Sequence, residues 1–159
     1  MNHTHYGGFW RRAMAFIIDK FVLSLISLIL LFIAALFLGL GFPFDLSINI
    51  SEVITGTFIL SYYGTSIFLN MVYFTYFHGT TGQTPGKKIL GLKVIQKTGD
   101  EMTLGLAFLR WVGYIISGLV FNLGFLWVAF DRKKQGWHDK IAATYVINLR
   151  EESKVDKTD

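Results

Sequence analysis

The sequence predicts an all-α membrane protein with one small β element, and three observations predict it. Three uncharged runs of 20 residues or more occupy nearly half of the 159 residues. Hydrophobic residues make up 52% of the chain and charged ones only 16%, against about 25% charged in ordinary soluble proteins. Two short β-branched segments, Ile89–Gln96 and Thr144–Leu149, lie outside the uncharged runs and read as strands. So much chain in the bilayer leaves little for a soluble core, which argues against a self-contained enzyme. The absence of cysteine excludes a disulfide scaffold, thiol catalysis and cysteine-ligated zinc or iron–sulfur sites.

The first span is Phe21–Phe44, 24 residues without a charge, of which Phe21–Leu40 supplies the roughly 20 apolar residues needed to cross hydrocarbon. Arg11, Arg12 and Lys20 flank it, but the run exceeds the roughly 7–15 residues of a signal-peptide core. An uncleaved anchor is therefore expected. The second span, Val53–Phe77, is uncharged for 25 residues and rich in tyrosine, a residue suited to a membrane boundary or a protein-facing helix side. The connecting loop Gly41–Glu52 holds Pro43, Asp45 and Glu52 but no Lys or Arg, which places it away from the cytoplasm.

The third run, Trp111–Phe130, sets charge against span count. Basic residues lie on both sides of it, at 87–110 and, seven of them, after Phe130, so both flanks should be cytoplasmic. Twenty residues cannot cross twice as helix. A re-entrant or interfacial broken helix, interrupted at Gly113, Ser117, Gly118, Asn122 and Gly124, satisfies the charges. The alternative is a plain third crossing packed through Gly113 and Ser117. Pairing of Gly91–Gln96 with Thr144–Leu149, after a turn at Thr98-Gly99-Asp100, would hold both flanks on one side of the membrane. The charged tail 150–159 is expected to be disordered, as is the N-terminus with His3 and His5. No internal repeat or second domain is visible.

Asp19 stands on the helical extension that leads into the first span, where a carboxylate is costly and usually has a partner or marks an ion path. Lys20 beside it suits the reading of two interfacial charges. Arg12 lies seven residues before Asp19, on one helix face but about 10 Å along the axis. That leaves room for a third group from Gln83, Lys87, Lys88, Arg110 or the His138-Asp139 pair. The segment Gly79–Lys88 invites a phosphate-loop reading, but only three residues separate Gly82 from Gly86, and Lys87 is followed by Lys88 rather than Ser or Thr. It is read instead as a structural turn through Gly82, Gln83, Gly86 and Lys87, whose lysines suit anionic headgroups. The stretch Asp131–Asp139 reads first as an interface anchor around Trp137, with His138 and Asp139 as a potential proton relay. One His and one carboxylate do not make a metal site. No hydrolase triad spacing is present, and charge at a membrane surface accounts for the net +4 without nucleic acid.

Three blocks in order resemble the RDD family of small multi-pass membrane proteins: Gly8-Phe9-Trp10-Arg11-Arg12 with Ala15, Ile18 and Asp19; Gly82–Val94; and Gly136-Trp137-His138-Asp139 with Ala142 and Thr144. They span residues 8–149, a single membrane domain. Arg12 and Asp19 match the first two charges in the family name and Asp139 the third, with Arg11 and Asp131 as weaker alternatives. Ala143 stands where the family often has Gly, and Pro85 where Leu is common. The resemblance suggests an oligomeric transporter in the plasma (inner) membrane that exchanges small monovalent cations for protons. Asp19 would be the titrating carboxylate, Arg12 would tune it, and Asp139 with His138 would close the inner end. Because two or three spans cannot enclose a solvated path, that role implies a homo-oligomer. The alternative is a non-transporting scaffold or accessory subunit in which the same charges tie the N-terminus, the turn and the tail together. Neither reading calls for a cofactor or an enzymatic step, and both place the two termini in the cytoplasm.

Overall fold

The computed structural model describes residues 5–37 and 52–151. The expected loop 41–51, the end of the first span, His3 and the tail 152–159 lie outside the described residues. The order is α1 (Phe9–Phe37), α2 (Glu52–Thr81), α3 (Pro85–Ile89), β1 (Leu92–Gln96), α4 (Leu104–Leu119), α5 (Leu123–Phe130), α6 (Trp137–Ile141) and β2 (Thr144–Asn148). Most described residues are helical, as the composition predicts.

The chain divides into two compact units, Lys20–Asn70 and the remainder. Within Lys20–Asn70, Leu23 and Ser27 are buried while Leu25, Ile29, Phe32 and Leu36 are exposed, the mark of a helix whose apolar side meets lipid. Among the described residues one helix, Phe9–Ala34, is long and apolar enough to cross a membrane alone. The second expected span forms as α2, about 45 Å of helix at 1.5 Å per residue, but its Thr, Ser, Tyr and Asn residues make it less apolar than α1.

The other unit is organised by the predicted strand pair. β1 and β2 are antiparallel, with Val94 opposite Val146, and Leu92, Val94 and Val146 are fully buried with Ala15 and Ala107 in the core. The first strand is shorter than expected, because Ile89 closes α3 and Gly91 turns the chain at φ +67°. Gly99, at φ +95°, makes the predicted turn, its N–H donating to the Gln96 carbonyl at 3.0 Å. At the other edge of β2, Gly7 N–H donates to Val146 O and Asn148 N–H to His5 O, both at 2.8 Å. The expectation of a disordered N-terminus therefore fails at His5, because β2 has an open edge that the N-terminal backbone fills. Arg150, at the start of the expected tail, is likewise tied down by donating to Ile89 O at 2.7 Å.

The third apolar segment is not a straight helix. Thr103 caps α4 by accepting from Leu106 N–H, so the helix begins before Trp111. A break at Val120–Asn122, with Phe121 and Asn122 at positive φ, separates α4 from α5 at 98°. The small residues serve this bend. A Cβ on Gly113 would come within 2.7 Å of the His138 Cα, and one on Gly124 within 2.7 Å of the Ser117 Cα, so only glycine lets α6 and α5 pack this closely on α4. Ala143 adopts φ +50°, a left-handed conformation costing an L-residue about 1–2 kcal/mol. That explains why glycine suits this position better than the alanine found here.

Candidate functional site: a buried charge cluster

Asp139 is fully buried at the third position of α6 and organises the cluster. Its Oδ2 accepts from Gly136 N–H at 2.9 Å and from Arg12 Nη1 at 2.6 Å. Its Oδ1 lies 2.5 Å from Arg110 Nη2, a close ionic contact rather than an aligned hydrogen bond. The two arginines use their other donors as well. Arg12 donates Nε–H to Gly7 O at 2.8 Å, and Arg110 donates to Thr144 Oγ1 at 2.6 Å and to Tyr114 at 3.3 Å. One carboxylate thus ties α1 and α4 to α6, and the other donors of its two arginines reach β2.

Asp19 forms a second, separate node. Its carboxylate accepts from Thr84 Oγ1 at 2.5 Å, from Gly86 N–H at 2.8 Å and from the Tyr73 hydroxyl at 2.8 Å. Thr84 is the N-cap of α3 and Pro85 its first residue, so the turn presents donors to Asp19 from a helix start that needs no Pro N–H. A Cβ on Gly86 would collide with the Ala15 carbonyl and lie 2.9 Å from Asp19 Oδ1, which makes glycine necessary where the turn meets α1. Gly82, at φ +69°, accepts at its carbonyl from Val94 N–H at 2.8 Å, and the Gln83 amide donates to Leu92 O at 2.8 Å.

Of the residues expected to act together, Arg12, Asp139 and His138 meet, and Asp19 stands with the turn. None of Gln83, Lys87, Lys88, Arg110 or His138-Asp139 is hydrogen-bonded to Asp19. Arg12 accordingly engages Asp139 instead of tuning Asp19. Nor is Lys87 at the headgroup surface: it is 6% exposed, with Nζ 2.6 Å from His78 Nε2, whereas Lys88 is exposed. Arg110, one of the candidate third groups, joins Arg12 on Asp139 and not on Asp19, while Thr84 and Tyr73 enter as unexpected partners of Asp19. The Thr84-Pro85 pair is a helix-start signal that identifies the first of them; nothing local marks Tyr73.

His138 is enclosed by Tyr114 and Phe125, with ring centroids 4.7 and 5.0 Å away. Burial first, then the nearby arginines, push its pKa down to about 3, so it is neutral at physiological pH. Burial alone would raise Asp139, but Arg110, then His138 once acid protonates it, and Arg12 override it, with help from Gly136 N–H, and hold the carboxyl below its usual range. At physiological pH His138, with Nε2 3.5 Å from Asp139 Oδ1, is neutral. Lys87 is pushed well below the usual lysine value by burial and then by Arg110.

These shifts have one sign. A group with a depressed folded pKa stabilises the fold above its unfolded value and loses that contribution as pH falls. Thermal stability in detergent is therefore expected to fall as pH drops from about 6.5 towards 3, the interval opened by His138, with Asp139 adding to the loss at its acid end. His138→Phe, which keeps a ring between Tyr114 and Phe125, should flatten the decline between about pH 6.5 and 4. An unchanged profile in that variant would remove His138 as its source.

The fold and cluster define a class: a helical membrane protein in which buried arginine–carboxylate contacts tie an N-terminal helix to a late His-Asp pair, and an aspartate secures a glycine-rich turn. The RDD family model matches residues 6–143, and the chain belongs to the RDD family. It is similar to the uncharacterized protein YxaI of Bacillus subtilis (strain 168), 34% identical over 145 residues that cover 88% of this chain and 95% of that protein. It is similar to the uncharacterized membrane protein YteJ of the same organism, 31% identical over 158 residues covering 91% and 83%. A shorter likeness joins it to the proline-rich antigen homolog of Mycobacterium tuberculosis (strain CDC 1551 / Oshkosh), 32% identical over 75 residues, 46% of this chain and 31% of that protein. No solved structure matches the chain.

Proposed function

We propose that the protein is a non-transporting, non-enzymatic scaffold or accessory subunit of the plasma (inner) membrane, which binds another membrane protein through its apolar helices. One observation carries this reading: the carboxylate of Asp19, the group best placed to hold a cation, is already engaged by Thr84, Gly86 and Tyr73. A carboxylate with three donors on it has little capacity left for an ion. The topology inferred with it has α1 and α2 crossing and the bent pair re-entering, with both termini cytoplasmic. Residues 97 and 143, which bracket the bent pair, are joined by a 3.0 Å backbone hydrogen bond, and this supports a segment that returns to the side it left.

A second reading, cation–proton exchange by a homo-oligomer, is favoured by the gathering of His78, Lys87, His138 and Asp139 in one buried cluster. Proton relays are built from such groups. Flux decides between the two. Purified protein in liposomes with an internal pH dye, given sodium, potassium or lithium gradients, is expected to move no more protons than protein-free liposomes. Cation-dependent flux would overturn the scaffold reading, and its loss in Asp19→Asn would assign the carboxylate.

A further inference from the structure

A cavity of about 240 Å³ lies beside the charge cluster, and its lining combines two kinds of residue. Arg12, Lys87, Arg110 and His138 line it together with apolar residues that include Phe16, Ile17, Phe125 and Leu126. Ile17 and Leu126 are themselves 59% and 45% exposed, so the apolar wall continues onto a face fit for lipid.

The charges around this cavity do not balance. Arg12 and Arg110 share the single carboxylate of Asp139, while Asp19 is committed to the turn. Among the described residues no carboxylate lies within ion-pairing distance of Lys87, whose one side-chain hydrogen-bond partner there is His78. An ammonium carries three donors, and burial without a counterion disfavours that charged form, which is why Lys87 lies well below the usual lysine value. An anion in the cavity would supply the missing counterion and restore the charge.

We propose that this cavity receives the oxyanion head of an acidic phospholipid, with Lys87 as the principal contact and the acyl chains leaving over Ile17 and Leu126. Basic pockets between membrane helices suit such head groups, and the apolar wall favours an amphiphile over a free anion. The volume fits a head-group phosphate and its nearest carbons rather than a whole lipid, which is why the chains must leave along the exposed apolar face. This inference does not depend on whether the protein transports.

The test is thermal melting and native mass spectrometry of the full chain in detergent, titrated with short-chain phosphatidylglycerol, phosphatidylcholine or inorganic phosphate. Phosphatidylglycerol is expected to bind at one saturable equivalent and to raise the melting temperature, at least tenfold more tightly than phosphatidylcholine. Lys87→Met should melt no lower than the wild type without lipid, since it removes a buried amine that no carboxylate pairs with, and should lose the saturable shift. Leu126→Trp, which obstructs the apolar wall and leaves every charge in place, should weaken phosphatidylglycerol binding tenfold and remains informative if Lys87→Met does not fold. Equal binding of the two lipids, or undiminished phosphatidylglycerol binding in both variants, overturns the proposal. A full shift with inorganic phosphate alone also overturns it, in favour of a free-anion site.

Discussion

Asp139→Asn is expected to be among the most damaging single substitutions in the chain, costing about 3–5 kcal/mol, the range seen when one partner of a buried ion pair is removed. The reason is the number of charges that depend on it. The Arg12 and Arg110 side chains are 10% and 1% exposed, and the amide would leave both guanidinium groups buried without a counter-charge, close to Lys87. Total stabilities of about 5–15 kcal/mol make such a loss visible as reduced membrane accumulation and a melting temperature lowered by many degrees. Asp131→Asn is the control. Its pair with Lys140, at 2.7 Å, involves a 42% exposed lysine side chain, and exposed pairs contribute about 1 kcal/mol or less. Replacing Arg12, Arg110 and Asp139 together by Met, Met and Leu should harm less than Asp139→Asn alone, because no buried charge of the trio is then stranded. If Asp139→Asn melts with the control, the cluster does not hold the fold together.

How much of this cluster was legible in the sequence depends on which physical signal each part leaves. β1 and β2 were legible because β-branched residues outside the apolar runs have few other places to go, and their pairing agreed with basic flanks placed on one side of the membrane. The broken third segment was legible in part, since Asn122, one of the residues that interrupt the apolar run, sits at the break, while Gly113 and Gly124 lie within α4 and α5 and serve close packing. The Gly82–Lys87 turn announced itself through glycine and proline. Arg12 and Asp139 were recognisable as important, but their 2.6 Å contact joins residues 127 positions apart, and no local rule specifies such a partner. Lys87 misled for a different reason. A lysine beside a second lysine after an apolar helix ordinarily faces headgroups, and only the short α3, wound against α1 through Gly86, turns one of the pair inward while its neighbour stays exposed.

Asp19→Ala is expected to have the second large effect and to act at the other node. Removing the carboxylate strands the Gly86 N–H and the Thr84 hydroxyl in a site where Asp19 and Thr84 are 1% and 0% exposed. Each buried donor left unpaired costs about 1–3 kcal/mol, so a total of about 3 kcal/mol is reasonable even if Thr84 rotates to its own helix. Tyr73 loses a partner at 2.8 Å as well. Asp19→Asn should cost less than half as much, because the amide oxygen still accepts from Gly86 N–H and the Thr84 hydroxyl can turn to accept from the amide nitrogen. This ranking, Ala far worse than Asn, is the signature of a residue whose task is hydrogen bonding. A cation-binding carboxylate gives the other pattern, with Asn and Ala equally inactive in transport and neither strongly destabilised, because relieving an anion of its burial offsets the missing hydrogen bonds. Melting temperatures of the two variants in one detergent, measured beside their flux in liposomes, distinguish the patterns. Thr84→Val sharpens the comparison, since in the wild type it removes both the hydrogen bond to Asp19 and the cap that accepts from Lys87 N–H, whereas in an Asp19→Ala background only the long 3.4 Å cap is left to lose and the cost should be clearly smaller.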